Sequence, residues 1–176
     1  YLLFHLPLWI GAPLTVGIVF IAILGQQYHA VVGNPPYITV KDKALNDSYR
    51  KGYTTCHRQY SLAVPFTQRF FELTKAPGDG VSGAGFVGMI TANSFMKREF
   101  GKKLIEEFFP RVDLTHVIDT SGAYIPGHGT PTVILFGKNQ PPVSSNIRTV
   151  LGTRAEPAKP ADPALGLVWR TVLPDG

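Results

Sequence analysis

A rigid Asn-Pro-Pro-Tyr tetrapeptide at residues 34–37, directly after a short apolar run, constrains the fold more than any other feature. The run at residues 30–32 is typical of a buried strand, and it stops at Gly33. Consecutive prolines donate no backbone hydrogen bonds, and their φ angles are fixed near about −65°. The residue before each proline is also held in extended geometry. We therefore expect a stiff loop at the carboxyl end of a strand, where open α/β sheets place their ligand crevices.

The chemistry that suits this loop is transfer of a group to a planar amine. The side-chain oxygen of Asn34 and the carbonyl of Pro35 are two acceptors with no competing donor expected nearby. Held by the stiff Pro35-Pro36 unit, each can accept one hydrogen of an NH₂ group and draw the nitrogen lone pair out of conjugation. The Tyr37 ring offers a stacking surface for a flipped-out base, worth about 1–3 kcal/mol. The alternative is that the tetrapeptide is only a rigid surface turn.

Four stretches of the sequence carry a family resemblance. Residues 31–38, Val-Val-Gly-Asn-Pro-Pro-Tyr-Ile, resemble the catalytic motif of amino-group DNA methyltransferases of the adenine-N6 type. Three later stretches fit the same family in the same order, at residues 57–66, 85–96 and 129–137. Together they look most like the large adenine methyltransferases of BREX and phage growth limitation defence systems (PglX-like). The resemblance runs from about residue 28 to the C-terminus.

This resemblance implies an α/β fold, the second half of a Rossmann-like methyltransferase sheet. It also implies methyl transfer from S-adenosylmethionine to adenine N6 in double-stranded DNA, in phage defence or restriction-modification. The catalytic residues it implies are Asn34, Pro35, Pro36 and Tyr37. A second aromatic ring, at Tyr124, is expected to stack on the other side of the flipped base.

The cofactor-binding half that precedes this strand in the family has no counterpart in the sequence. No Gly-rich loop follows a strand before residue 31, and no acidic residue that could hold a ribose occurs before Asp42. We therefore expect the chain to lack the cofactor-binding first half, and its cofactor residues stay unassigned. Another chain that supplies the missing half, or other defence-system proteins, are expected as partners besides DNA.

Residues 1–25 form an apolar leader without Lys, Arg, Asp or Glu, long enough to cross a bilayer of about 30 Å. Prolines and glycines interrupt it, and no basic residue flanks it before Lys41. We favour a rearranged or misread stretch over a true membrane anchor. The predicted organisation is therefore a leader at 1–25, a methyltransferase catalytic half at 26–140 and a Pro-rich tail at 141–176.

A polar stretch at residues 41–59, next to the catalytic motif, is predicted to be a loop of mixed basic and aromatic residues. Its candidate DNA-binding residues are Lys41, Lys43, Arg50, Lys51 and Arg58. Basic residues beside a flipped base would contact the flanking phosphates. The net charge of +5 favours a polyanionic partner only weakly. A simple solvated loop explains the stretch equally well.

The remaining sequence alternates between helical and strand patterns. The predicted elements are a helix at 60–75, a strand at 86–91, an amphipathic helix from Asn93 or Ser94 to about Phe109, strands at 114–120 and 132–136, and a short β-like run at 147–151. Gly-rich loops are expected at 76–85 and 121–130, and a linker at 155–163.

A single cysteine, Cys56, excludes an internal disulfide and a multi-cysteine zinc site, and no metal is expected. It is interpreted as a bystander in a reducing cytoplasm. Two other functions remain open. Protein glutamine-N5 methyltransferases also use Asn-Pro-Pro-Tyr, and an inactive, membrane-anchored binding fragment would explain the apolar leader.

Overall fold

A five-stranded sheet lies at the centre of the computed structural model, which describes residues 24–78, 83–127, 129–152 and 155–172. The strands are β1 (Ala30–Gly33), β2 (Phe86–Ala92), β3 (Asp113–Asp119), β4 (Thr132–Lys138) and β5 (Arg148–Val150). All five were predicted from the sequence to within about two residues. The α/β fold class is confirmed.

The strand order β1-β2-β4-β3-β5 brings the loops that follow β1 and β3 to one end of the sheet. β1 and β2 are parallel, and β4 runs antiparallel to both β2 and β3. The carboxyl ends of β1 and β3 therefore lie at the same end. Three strand spacings separate them, about 14 Å at the usual distance between neighbouring strands.

Four α-helices are present among the described residues. They are α1 (Lys43–Gly52), α2 (Ala63–Glu72), α3 (Ser94–Lys97) and α4 (Leu167–Val172). α2 corresponds to the helix predicted at 60–75. Pro65 lies in its first turn, where a missing backbone N–H costs little.

The prediction of a loop at 41–59 is wrong over residues 43–52, which form α1. Asp42 caps this helix, because its carboxylate accepts a hydrogen bond of 2.7 Å from the Leu45 N–H. Arg50 and Lys51 in the last turn complement the negative end of the helix dipole. The stretch is polar because α1 exposes most of its surface, not because it lacks regular structure.

The prediction of one continuous helix at 93–109 is also wrong. After α3 the chain forms a 3₁₀ turn (Glu99–Gly101), a π-helical turn (Leu104–Phe108) and a second 3₁₀ turn (Phe109–Arg111). Arg98 interrupts the helix with extended backbone angles, φ −124° and ψ 149°. Gly101 then packs so closely on Phe95 that an added Cβ would lie 1.9 Å from the Phe95 carbonyl oxygen.

One face of the sheet carries the core. Its buried side chains include Val87, Met89, Val133 and Leu135. α2 and the turns after α3 cover this face, with Tyr60, Val64, Phe71 and Leu104 almost inaccessible to solvent. On the opposite face Val32 is 77% exposed, and Phe86 and Phe136 are also exposed.

Cys56 belongs to this core rather than to a reactive site. Burial raises the pKa of its thiol to about 11, so almost none of it is thiolate at neutral pH. The interpretation of Cys56 as a bystander fits this burial.

No helix among the described residues has both the length and the apolarity needed to cross a bilayer. Residues 1–23, most of the predicted leader, lie outside the described residues, and the leader remains a prediction. The boundary predicted at 140 also remains a prediction, although β5, beyond it, pairs with β3 in the sheet.

Candidate active site

The Asn-Pro-Pro-Tyr loop directly follows β1 and has no regular structure, as the sequence predicted. Pro35 is buried, whereas Asn34 is exposed and Tyr37 is half-buried. Gly33 lets the loop begin against α2, since an added Cβ would lie 2.9 Å from the Phe70 ring. The loop thus rests on a packed helix while it presents the Asn34 side chain to solvent.

The side chains of Asn34 and Tyr37 face each other. The Tyr37 hydroxyl donates a hydrogen bond of 2.5 Å to the Asn34 side-chain oxygen. The expectation that this oxygen has no competing local donor is therefore wrong. Burial raises the pKa of Tyr37, so its hydroxyl keeps its proton at neutral pH. Because a carboxamide oxygen has two lone pairs, Asn34 can still accept a second hydrogen bond or exchange the first.

The residues after the loop are tied to the start of α2. The Leu62 N–H donates to the Ile38 carbonyl at 2.8 Å, and Thr39 forms an isolated bridge with Ser61. Val40 is buried. The Asn-Pro-Pro-Tyr loop is thus held on both sides, by β1 before it and by these contacts after it.

A basic cleft of about 370 Å³ lies beside this exit segment. Its lining includes the predicted DNA-binding residues Lys41, Lys43 and Arg50, together with Asp47 and Gln59. The structure therefore brings three of the five candidates into one concave surface.

The other two candidates lie outside the lining of this cleft. Lys51 is exposed near the end of α1. Arg58 is also exposed, and it forms an ion pair of 2.9 Å with Glu99. Such a surface pair contributes at most about 1 kcal/mol, so DNA could displace it at small cost.

Arg50 is held more firmly than a solvated surface cation. Its Nε donates to the Asn46 side-chain oxygen at 2.8 Å, and its Nη2 donates to the Arg58 carbonyl. Its guanidinium carbon lies 5.9 Å from the centre of the Tyr60 ring. Asn46 was not singled out from the sequence as a partner of Arg50. Their i, i+4 spacing would have indicated the contact only if α1 had been predicted as a helix.

Tyr124 follows β3 at the same end of the sheet as the Asn-Pro-Pro-Tyr loop. Its half-buried ring lines a cleft of about 320 Å³ together with Pro126 and Trp169. The Lys159 ammonium lies 5.6 Å from the ring centre. The stacking role of Tyr124 remains a prediction, and His128 in the same loop lies outside the described residues.

Side chains suited to a metal do not converge in the described part of the chain, where no group of three or more His, Cys, Asp or Glu residues forms. The polar groups considered for the Asn-Pro-Pro-Tyr loop are the Asn34 carboxamide, the Pro35 carbonyl and the Tyr37 phenol. These are hydrogen-bonding partners for an amine rather than strong ligands for a metal ion.

Sequence comparison identifies both a family and close relatives. The model of the Eco57I restriction-modification methylase family matches residues 16–125. The adenine-specific methyltransferase PglX of Streptomyces coelicolor is 61% identical over 150 residues, covering 84% of this chain and 12% of that protein. The type II methyltransferase M.BstVI of Geobacillus stearothermophilus is 33% identical over 96 residues, covering 53% of this chain and 16% of that protein. This chain therefore spans less than a fifth of the length of these two relatives.

Solved structures share the fold at low identity. A modification subunit assigned to a type I restriction enzyme of Vibrio vulnificus has a TM-score of 0.54 at 18% identity, covering 67% of this chain and 24% of that one. A class I S-adenosylmethionine-dependent methyltransferase assigned in Listeria monocytogenes has a TM-score of 0.54 at 11% identity, covering 71% of this chain and 36% of that one. The described sheet is thus part of a methyltransferase-like fold.

Proposed function

We propose, from the premise that this chain belongs to the Eco57I restriction-modification methylase family, that it is the catalytic half of a DNA adenine-N6 methyltransferase. The observation that carries the proposal is the position of the Asn-Pro-Pro-Tyr loop at the carboxyl end of β1, with Asn34 exposed. The 61% identity to an adenine-specific methyltransferase supports adenine as the target base.

In the proposed reaction the loop activates the exocyclic amine of a flipped adenine. The Asn34 side-chain oxygen and the Pro35 carbonyl accept the two amine hydrogens. These hydrogen bonds strengthen as the nitrogen becomes tetrahedral, so they stabilise the transition state more than the ground state. The Tyr37 ring stacks on the base, and Tyr124 is proposed to cover the other side. No general base is needed before attack, because the amine proton leaves afterwards.

S-adenosylmethionine, when bound, supplies an electrophilic methyl group on its sulfonium. The Asn-Pro-Pro-Tyr loop suits binding of the amine that accepts this methyl group. The nucleoside side of the cofactor fits the described residues poorly, because no carboxylate precedes Asp42 and, among those residues, β1 pairs with β2 alone. We therefore place the residues that hold the methionine and ribose in a cofactor-binding half outside this sequence.

Double-stranded DNA is the proposed substrate. Lys41, Lys43 and Arg50 in the basic cleft would contact phosphates beside the flipped base, and Lys51 and Arg58 would extend this surface. Phosphate contacts of this kind set affinity and position rather than sequence preference. We place the whole enzyme in the cytoplasm, in restriction-modification or phage defence, with other defence proteins as further partners.

The proposal can be tested in a chimera, because 61% identity to the Streptomyces coelicolor relative makes a graft feasible. Residues 24–172 would replace the matching segment of that protein, and transfer of tritium from S-adenosylmethionine to plasmid DNA would be measured. We expect DNA to be labelled, and labelling to be lost in Asn34→Ala but kept in the matched control Asn146→Ala, at an exposed asparagine in another loop.

Two results would overturn the proposal. One is a folded chimera that binds S-adenosylmethionine but labels no DNA. The other is label in glutamine side chains of an added protein extract with none in DNA, which would support the glutamine-N5 alternative.

A further inference from the structure

We propose that Asn46 and Arg50 are positioning residues that couple phosphate binding in the basic cleft to the placement of the catalytic loop. The inference rests on the proposed function and adds a role for two residues that touch neither the target base nor its methyl donor.

The first step is the anchoring of the loop exit. Three consecutive residues after the loop are each tied to a neighbouring element. Ile38 accepts from the Leu62 N–H, Thr39 bridges to Ser61, and the Val40 carbonyl accepts from the Asn46 side-chain amide at 3.3 Å. The position of the loop therefore depends on where Asn46, on α1, holds Val40.

The second step is that Asn46 is hydrogen-bonded through both its amide nitrogen and its oxygen. This side chain is only 8% exposed, and both ends of its carboxamide are used. Its Nδ2 donates to Val40, and its Oδ1 accepts from Arg50 Nε at 2.8 Å. The Tyr60 hydroxyl also donates to its backbone carbonyl at 2.9 Å. A buried polar group of this kind is costly to leave unpaired, so a shift of Arg50 would be transmitted to Val40.

The third step is the position of Arg50 between this network and the cleft. Of its five N–H donors, one on Nε and one on Nη2 bond within the protein. Arg50 also lines the cleft with Lys41 and Lys43, and Asp47 is the single carboxylate in that lining. A planar guanidinium can bind a phosphate through two parallel donors, which a lysine ammonium cannot do. A phosphate in the cleft would therefore fix the same side chain that orients Asn46.

The test compares the same substitution at two arginines. Arg50→Lys keeps the positive charge and removes the guanidinium fork. Arg148→Lys makes the same change at an exposed arginine that begins β5, outside the cleft lining, and leaves the network intact. Both would be placed in the chimera, with the dissociation constant for plasmid DNA at fixed salt and the single-turnover rate at saturating DNA measured separately.

We expect Arg50→Lys to bind DNA within about threefold of the unaltered chimera, because phosphate charge dominates affinity. Its rate at saturating DNA should fall at least about tenfold, as for other small misplacements of reacting groups. Arg148→Lys should leave both the DNA affinity and that rate unchanged. An unchanged rate in Arg50→Lys would overturn the coupling.

Amide hydrogen exchange in the 176-residue chain separates positioning from general destabilisation. Arg50→Lys and Asn46→Asp should speed exchange of the Leu62 amide by about tenfold, with the Met89 and Leu135 amides unchanged. Duplex DNA should slow Leu62 exchange in the unaltered chain and not in Arg50→Lys. Equal acceleration of the core amides would reduce Arg50 to a purely structural role and would overturn the inference.

The two proposals fail in different ways. An unaltered chimera that methylates no DNA would count against the proposed function, and the response of Leu62 exchange to DNA would still decide the coupling. An active chimera whose Arg50→Lys variant is equally active would count against the coupling alone.

Discussion

Substitution of Asn34 by alanine should slow the chemical step of the proposed reaction without harming the fold. Asn34 is exposed, and its side-chain oxygen accepts a hydrogen bond of 2.5 Å from the Tyr37 hydroxyl. Loss of an exposed hydrogen bond costs about 1 kcal/mol or less. Thermal unfolding of the Asn34→Ala variant should therefore remain close to that of the unaltered protein.

The expected effect on rate is much larger. Removal of one preorganised polar contact to a developing charge typically costs about 10²–10³ in rate, judged from oxyanion-hole variants. DNA affinity should change little, because Asn34 lies outside the lining of the basic cleft. The assay is single-turnover methylation of plasmid DNA by the chimera, with DNA affinity measured at the same salt concentration.

Two variants of Tyr37 separate the effect of its hydroxyl, which contacts Asn34, from the effect of its ring. Tyr37→Phe removes the hydroxyl and keeps the ring, so its rate should stay within about tenfold of the unaltered value, equivalent to about 1.4 kcal/mol. Tyr37→Ala also removes the stacking surface and should weaken base capture by about 1–3 kcal/mol. The reasoning would be refuted if Asn34→Ala methylated DNA at the unaltered rate, or if Tyr37→Phe were as slow as Asn34→Ala.

Three further predictions concern the cofactor, the core and pH. The isolated chain should bind S-adenosylmethionine weakly or not at all, and micromolar affinity by calorimetry would contradict this. Leu104→Ala should lower the free energy of unfolding by about 2–5 kcal/mol, because this side chain is fully buried, whereas the exposed Val143→Ala should change it by less than about 0.5 kcal/mol. Burial raises the pKa of Cys56 to about 11, so the thiol ionises at lower pH in the unfolded chain than in the folded one. Stability should therefore be retained below about pH 9 and fall as the pH rises towards 11. Denaturant unfolding at pH 8 and pH 10.5 should show a smaller loss of stability in Cys56→Ala than in the unaltered chain. Equal losses would refute the claim that the buried Cys56 thiol causes this pH dependence.

The strands were predictable because the information that fixes them is local. Apolar runs bounded by glycine, proline or polar residues mark β1, β2 and β4. α1 was missed because Asn46 is its only residue classed as buried, and a polar residue gives no apolar periodicity. The helix predicted at 93–109 failed because the contact between Gly101 and the Phe95 carbonyl appears only once the chain has folded.

The candidate site was also predictable only where it depends on neighbouring residues, and not where it depends on tertiary packing. The loop at 34–37 was predictable because proline geometry acts through neighbouring residues. The hydrogen bond between Tyr37 and Asn34 depends on side-chain directions that the backbone pattern does not specify. The link from Arg50 through Asn46 to Val40 also needs α1 to lie beside the loop exit, which depends on tertiary packing.

The central claim is tested most directly by the identity of the methylated base. DNA from cells that express the chimera would be digested to nucleosides and analysed by mass spectrometry, in a host without its own adenine methylation. We predict N6-methyladenine in the unaltered chimera and its loss in Asn34→Ala. N4-methylcytosine instead of N6-methyladenine, or N6-methyladenine at the same level in Asn34→Ala, would contradict the account.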